Sequence, residues 1–208
     1  MVLEKNWVSS ERRRHQRMSV ELFRAFYASR PDEEQWQLID GRAVMMTPPT
    51  GAHQCIATNL QLLLLQSLER HAPERTAFQR LGLNLAPSIE GYDPEPDVTV
   101  IDASAPEDPN RRYVDRFYLA AEIVSASDEL WVANKPEIYK LHETCSCVLT
   151  IPQDRQEVRV DLRTDTGWQQ QVLANPDDLL VLPDFGLRCK LADVYRGTAL
   201  QPRKAAPR

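Results

Sequence analysis

Two acids and one lysine stand where charge is costly. Pro96-Asp97 opens the apolar run Val98, Thr99, Val100, Ile101, and Glu122 lies in the middle of a second run from Tyr118 to Val124. Carboxylates set into hydrophobic strands stay ionised only beside a partner, and the expected partner is a divalent cation. Side chains alternate along an extended chain, so Asp97, Thr99 and Ile101 share one face, as do Ala120, Glu122 and Val124. If the two strands are neighbours, the acids converge. Such a pair suits Mg2+ (or Mn2+), a hard ion that takes oxygen ligands and keeps several waters. The chemistry is then activation of water and neutralisation of charge developing on a phosphoryl group. Lys135, on the following helix, could supply positive charge near the attacking water.

Each of these residues also has a plainer reading. Asp97 can cap a turn after Pro96, Glu122 can join a structural ion pair, and Lys135 taken alone is a helix-surface lysine. Tyr139, one turn beyond Lys135, reads as core packing with its hydroxyl at the rim. Gln37 is balanced between ordinary solvent-facing alternation and a site role. His53, in the first turn of a long helix, can meet an anion there or face solvent. Glu90, Asp93 and Glu95 read as a solvated loop.

The elements that must position these groups follow from local signals. Ser19 before Val20, Phe23, Phe26 and Tyr27 predicts a capped helix that stops at Arg30-Pro31. Trp36, Leu38, Val44 and Met46 alternate around Asp40-Gly41, a dipeptide suited to a two-residue hairpin turn. This phase points Gln37 away from Trp36 and Leu38. From Gly51 to about His71, Ile56, Leu60, Leu63, Leu64 and Leu68 form the stripe of a long helix, widened by Leu62 and Leu65. Strands are expected at Thr76 to Leu85, Asp97 to Ile101 and Tyr118 to Val124, with Ala103 to Arg116 as a surface connection. A shorter helix from about Ala133 to Glu143 carries Ile138 and Leu141. The C-terminal part reads as a meander: Cys147 to Ile151, Val158 to Leu162, Trp168 to Leu173 and Leu179 to Leu182, with Asp165-Thr166-Gly167 as one turn and Leu191 to Tyr195 as a last short helix. Helices and strands do not strictly alternate, so the expected class is mixed α/β with a mixed sheet.

At 208 residues the chain can bury a sizeable core without staples. Residues 18–196 are expected to form a single domain, preceded by a basic tail over 1–17 and followed by a tail over 197–208. A formal net charge of −5 argues against a surface that wraps nucleic acid broadly, and leaves room for a local basic cleft. The four cysteines, Cys55, Cys145, Cys147 and Cys189, lack zinc spacing and read as buried free thiols. No apolar stretch reaches the roughly 20 residues of a spanning helix, and no signal peptide is apparent, so no membrane partner and a cytoplasmic location are expected.

Several motifs together resemble the bacterial putative restriction endonuclease family of the PD-(D/E)XK nuclease superfamily. They are Trp36-Gln37-Leu38-Ile39-Asp40-Gly41-Arg42, the Pro48-Pro49 loop leading to His53-Gln54, Pro96-Asp97, Glu122-Ile123-Val124-Ser125, and Lys135 with Tyr139. The resemblance runs from roughly Met18 to Tyr195. It implies a restriction-endonuclease-like core, a mixed sheet flanked by helices, with an added N-terminal hairpin and C-terminal antiparallel strands. It further implies Asp97, Glu122 and the backbone carbonyl of Ile123 as metal ligands, Mg2+ or Mn2+ as cofactor and DNA as substrate. The superfamily's lysine stands two residues after the second acid, where this chain has Val124; Lys135 matches the family's migrated position. Where the family has an acid this chain has Gln37, and an aspartate one turn before the lysine corresponds to Trp131. A carboxamide can ligate or position water but cannot take a proton as a carboxylate does.

The leading expectation is therefore a Mg2+-dependent endonuclease with Asp97, Glu122, Lys135 and Gln37 in its site. The alternative is a catalytically impaired nuclease-fold protein acting as a binding or interaction module. A small-molecule binder using the Trp36 hairpin is weaker. A homodimer is open, because hairpins leave strand edges and aromatics such as Trp168 that need cover.

Overall fold

Ser19 caps the first helix as its position predicts: its Oγ accepts a hydrogen bond from the Leu22 N–H at 3.3 Å, and helix α1 runs Val20–Ala28. The computed structural model of the chain describes residues 17–86, 88–105, 112–125 and 134–201. They divide into two compact units: the described part of Met1–Thr47 with Asn84–Pro94, and Pro48–Leu83 with Glu95–Arg208.

In the first unit, strands β1 (Trp36–Ile39) and β2 (Arg42–Met45) form the expected hairpin. Its turn residues Asp40 and Gly41 both adopt positive φ, 52° and 71°, the geometry that matches the twist of the flanking strands. Val20, Phe23, Tyr27 and Leu38 make the core of this unit. Leu38 exchanges both backbone hydrogen bonds with Asp93, whose carboxylate receives Arg24 Nε and Nη2 at 2.9 and 3.0 Å. The expected solvated acidic loop is thus corrected in part. Glu90 is exposed, but Asp93 is fully buried and Glu95 nearly so; a bidentate guanidinium makes the burial of Asp93 affordable. Gln37 is buried rather than solvent-facing.

The second unit is built on a six-stranded mixed sheet of order β10-β9-β8-β7-β5-β3. Its members are β3 (Arg75–Gln79), β5 (Val98–Asp102), β7 (Leu119–Val124), β8 (Cys147–Pro152), β9 (Val158–Thr164) and β10 (Gly167–Leu173). Only β7 and β8 pair in parallel, and parallel neighbours need a crossover. That crossover carries helix α3 (Lys135–Lys140), while helix α2 (Gly51–His71) contributes Ile56, Ala57, Leu60, Leu64 and Leu68 to a core shared with Val98, Val100, Leu119, Ala121, Ile123, Leu149 and Ile151. By alternation the opposite face carries Asp97, Thr99, Glu122, Thr150 and Asp161.

Several expectations change here. The run from Thr76 to Leu85 breaks at Arg80, whose φ is +53°; β4 (Gly82–Leu83) instead pairs in parallel with β6 (Tyr113–Val114), inside the segment expected to be plain connection. Gly82 is required there, since a Cβ would run into the Tyr113 ring. Leu62 is 50% exposed, so the α2 stripe is narrower than its leucines suggested. Strand β11 (Leu179–Leu182) leaves the meander and pairs with β12 (Leu187–Lys190), which precedes the short helix α4 (Leu191–Val194). The turn after β10 explains the departure: Asp178 Oδ2 accepts the N–H groups of Ala174 and Asn175, both at 2.9 Å, and redirects the chain. Trp168 is half-buried, with Lys140 and Arg163 over its ring. All four cysteines are free thiols; Cys145, Cys147 and Cys189 are buried as expected, whereas Cys55 on α2 is only half-buried. Among the described residues no helix is long and apolar enough to cross a membrane.

Candidate active site

Strand phase brings the two acids to the same place. The β5–β7 ladder ends at Val98↔Ala121, so Asp97 and Glu122 fall one step beyond its last pair, on one face. Asp97 Oδ2 accepts the backbone N–H of Ile123 at 2.7 Å. In a strand the N–H and C=O of one residue point to the same edge, so the Ile123 carbonyl is directed toward the side where Asp97 lies.

Glu122 is 4% exposed and its carboxylate is already engaged. Lys135 Nζ lies 3.2 Å from both carboxylate oxygens, and the Tyr139 hydroxyl donates to Oε1 at 2.5 Å. The βαβ crossover causes this arrangement, because α3 must pack on one face of the strands it joins. Its buried residues are Lys135, Pro136 and Tyr139, whereas Leu141, expected on the apolar side, is 58% exposed. Lys135 is therefore a buried lysine, and Tyr139 is a buried donor rather than a rim residue. Burial raises the Glu122 pKa; Lys135 opposes that shift while the nearby charge of Asp97 adds to it. Burial likewise drives the Tyr139 hydroxyl well above its usual range, so it donates and does not ionise.

His53 is a further residue whose plainer sequence reading failed. Its N–H donates to the hydroxyl of the N-cap Thr50 at 3.2 Å, fixing the start of α2. Its Nε2 lies 3.2 Å from Asp97 Oδ2, with the side chain 18% exposed. Burial pulls its pKa down, but the hydrogen bond and charge of Asp97, with Glu122 adding, outweigh this and the net shift is upward. Its place in the first turn of the helix, where it could meet an anion, and the family motif containing it carried a hint of this. Thr150, opposite Glu122 in the β7–β8 register, also went unnoticed, because a threonine in a strand is ordinary; its buried Oγ1 has no hydrogen-bond partner.

Gln37 belongs to the first unit, and its buried Oε1 likewise has no hydrogen-bond partner. Trp131, the other departure from the family pattern, lies outside the described residues. Among the described residues, no group of three or more His, Cys, Asp or Glu side chains is arranged to hold a metal ion. The oxygen donors that do gather, two carboxylates and a backbone carbonyl, are of the hard kind that Mg2+ accepts, and this ion commonly takes only one or two carboxylates, with waters and substrate phosphate completing its shell. The donor set fits that ion.

Compared with known families, the chain matches Uma2, described as putative restriction endonuclease, over residues 20–192. Among solved structures it is similar to a putative nuclease belonging to DUF820 from Anabaena variabilis ATCC 29413, with a TM-score of 0.67 and 19% identity across 86% of this chain and 97% of that one. At that identity the likeness shows the fold. A comparison with curated proteins returns no match.

Proposed function

Because the chain belongs to the Uma2 family of putative restriction endonucleases, we propose that it is a Mg2+-dependent endonuclease that hydrolyses phosphodiester bonds of DNA. The observation that carries this reading is the convergence of Asp97 and Glu122 beyond the β5–β7 ladder, with Lys135 Nζ 3.2 Å from both oxygens of Glu122. Asp97, Glu122 and the carbonyl of Ile123 would hold the metal. Bound there, Mg2+ would lower the pKa of a coordinated water and offset charge on phosphoryl oxygens. Lys135 fixes Glu122 and supplies positive charge beside it. Tyr139 holds the same carboxylate from the core side, and His53 orients Asp97. Gln37 enters by the family pattern, as an amide at an acid's position.

Plasmid cleavage tests the reaction. Nicking or linearisation is expected with Mg2+ or Mn2+, none with EDTA, and at least a hundredfold loss in Asp97→Asn and Glu122→Gln, the scale of a lost electrostatic contribution of about 3 kcal/mol. Calorimetric titration with Mn2+ tests the ligands: undiminished binding in the double variant would overturn their assignment.

A second reading is a nuclease fold retained as a binding module. It is favoured by the Glu122 oxygens, which Lys135 and Tyr139 already occupy, and by the amide at Gln37. It requires the absence of cleavage with every divalent ion in the wild type, and any cleavage there overturns it; a gain of metal affinity or cleavage in Gln37→Glu would show that the rest of the site is nearly intact. A homodimer in the cytoplasm completes the proposal; light scattering coupled to size exclusion reads the assembly directly.

A further inference from the structure

Beside Asp97, within the second unit, lies a cavity of about 260 Å³. Its wall includes Asp97, His53, Gln54, Thr58, Gln79 and Arg80. Most of these groups donate hydrogen bonds. The guanidinium of Arg80 has five N–H donors and no acceptor, and it shares the cavity wall with His53. Within the described residues Arg80 has no ion pair or hydrogen bond. Gln79 is held by a relay, its Nε2 donating to Gln61 Oε1 at 2.8 Å while Gln61 Nε2 donates to the Ala77 carbonyl at 2.9 Å.

The backbone at Arg80 is also unusual. Its φ of +53° is left-handed, and among the described residues only Asp40 shares that conformation without being glycine. Asp40 sits in a hairpin turn that favours it; Arg80 ends β3, where glycine or asparagine would be less strained. Glycine would make the same strand break with less strain, so a long cationic side chain kept there, at the wall of a cavity, is a candidate functional feature.

We propose that this cavity is a phosphodiester-binding subsite and that Arg80 is the residue holding a backbone phosphate of the nucleic acid there, next to Asp97. The inference rests on the nuclease reading and adds a residue that reading does not use. Arg80 and His53 face a phosphate monoanion from the same wall, and Asp97 lies between this subsite and Glu122. A guanidinium can span two phosphate oxygens, which sets the register of the strand as well as its affinity.

The probe is dimethyl phosphate, a diester monoanion, with inorganic phosphate as a second arm. Titration followed by the His53 ring resonances in a 1H–15N spectrum is expected to give a saturable shift, weakened about tenfold in Arg80→Gln, the factor one charge-assisted hydrogen bond carries. Arg80→Lys should recover part of it. Arg188→Gln, an exposed control on β12, should leave it unchanged. A His53 shift with inorganic phosphate alone, or equal weakening in the Arg80 and Arg188 variants, overturns the proposal. Cleavage separates the two readings: if the protein cuts DNA and Arg80→Gln has wild-type KM and kcat, the subsite fails and the nuclease stands. If no divalent ion supports cleavage yet the Arg80-dependent shift persists, the nuclease reading fails and the diester subsite stands.

Discussion

A carboxylate with its oxygens shared between an ammonium and a phenol, all buried, sets the balance at the residue scale. Removing one member leaves the others desolvated and unpaired, which costs more than the pair contributes. Lys135→Met is therefore expected to lower stability by about 3 kcal/mol or more, read from the urea midpoint. Tyr139→Phe, which deletes only the donor to Glu122 Oε1, should cost about 1–2 kcal/mol. The cysteines give a chemical check. Burial pushes the Cys145 thiol up to about 12 and the Cys147 thiol well above its usual range, so neither forms the thiolate that reacts. A disulfide reagent at pH 8 should leave both unmodified in the native protein and label them in urea. The free state of the thiols was legible from their spacing, and burial was read correctly for all but Cys55. The burial of Lys135 was not: nothing local distinguishes it from a surface lysine at the start of a helix.

At the scale of elements, two of the left-handed residues, Gly41 and Arg80, separate folding from function. Gly41 has φ +71°, and a Cβ there would meet the Arg17 side chain at 2.6 Å. Gly41→Ala should cost about 1–2 kcal/mol, measured by thermal unfolding. Arg80→Gly relieves the same kind of strain without removing a hydrogen bond or ion pair; a gain of about 0.5–1 kcal/mol is expected, net of glycine's greater freedom in the unfolded chain. Stability should therefore rise in the variant whose phosphate binding falls. The cap at Ser19, the Asp40-Gly41 turn and the long helix were readable, because each depends on neighbours within one turn. The break at Arg80 and the β11–β12 pair were not, because a run of strand-forming residues does not say which partner it will meet.

For the whole molecule, pH provides a test independent of the proposed site. His142 is buried, and burial lowers its pKa from 6.5, outweighing the bond from Nε2 to the Asp115 carbonyl at 3.0 Å. The unfolded chain then binds a proton that the native state refuses. The His142 contribution is lost as pH drops below about 6.5, opposite in sign to that of His53 with its raised pKa, so wild-type melting temperatures should fall relative to those of His142→Gln from pH 8 to 5. The net charge of −5 has a matching consequence for the proposed DNA binding: few phosphate contacts, hence a shallow dependence of affinity on salt compared with a broadly basic protein.

Taken alone, the sequence determined the mixed α/β class, the helix and hairpin starts, the strand phase that puts Asp97 and Glu122 on matching faces, and, through its motifs, the family. These are properties of local geometry, fixed by side-chain alternation, caps and turns. Tertiary structure alone decided that Lys135 and Tyr139 are buried on Glu122, that His53 reaches Asp97, and that Asp93 is carried inside on Arg24. Each joins residues from separate elements, and the side that α3 or α2 presents to the sheet depends on the crossover and the packed core, which no short window of the chain contains.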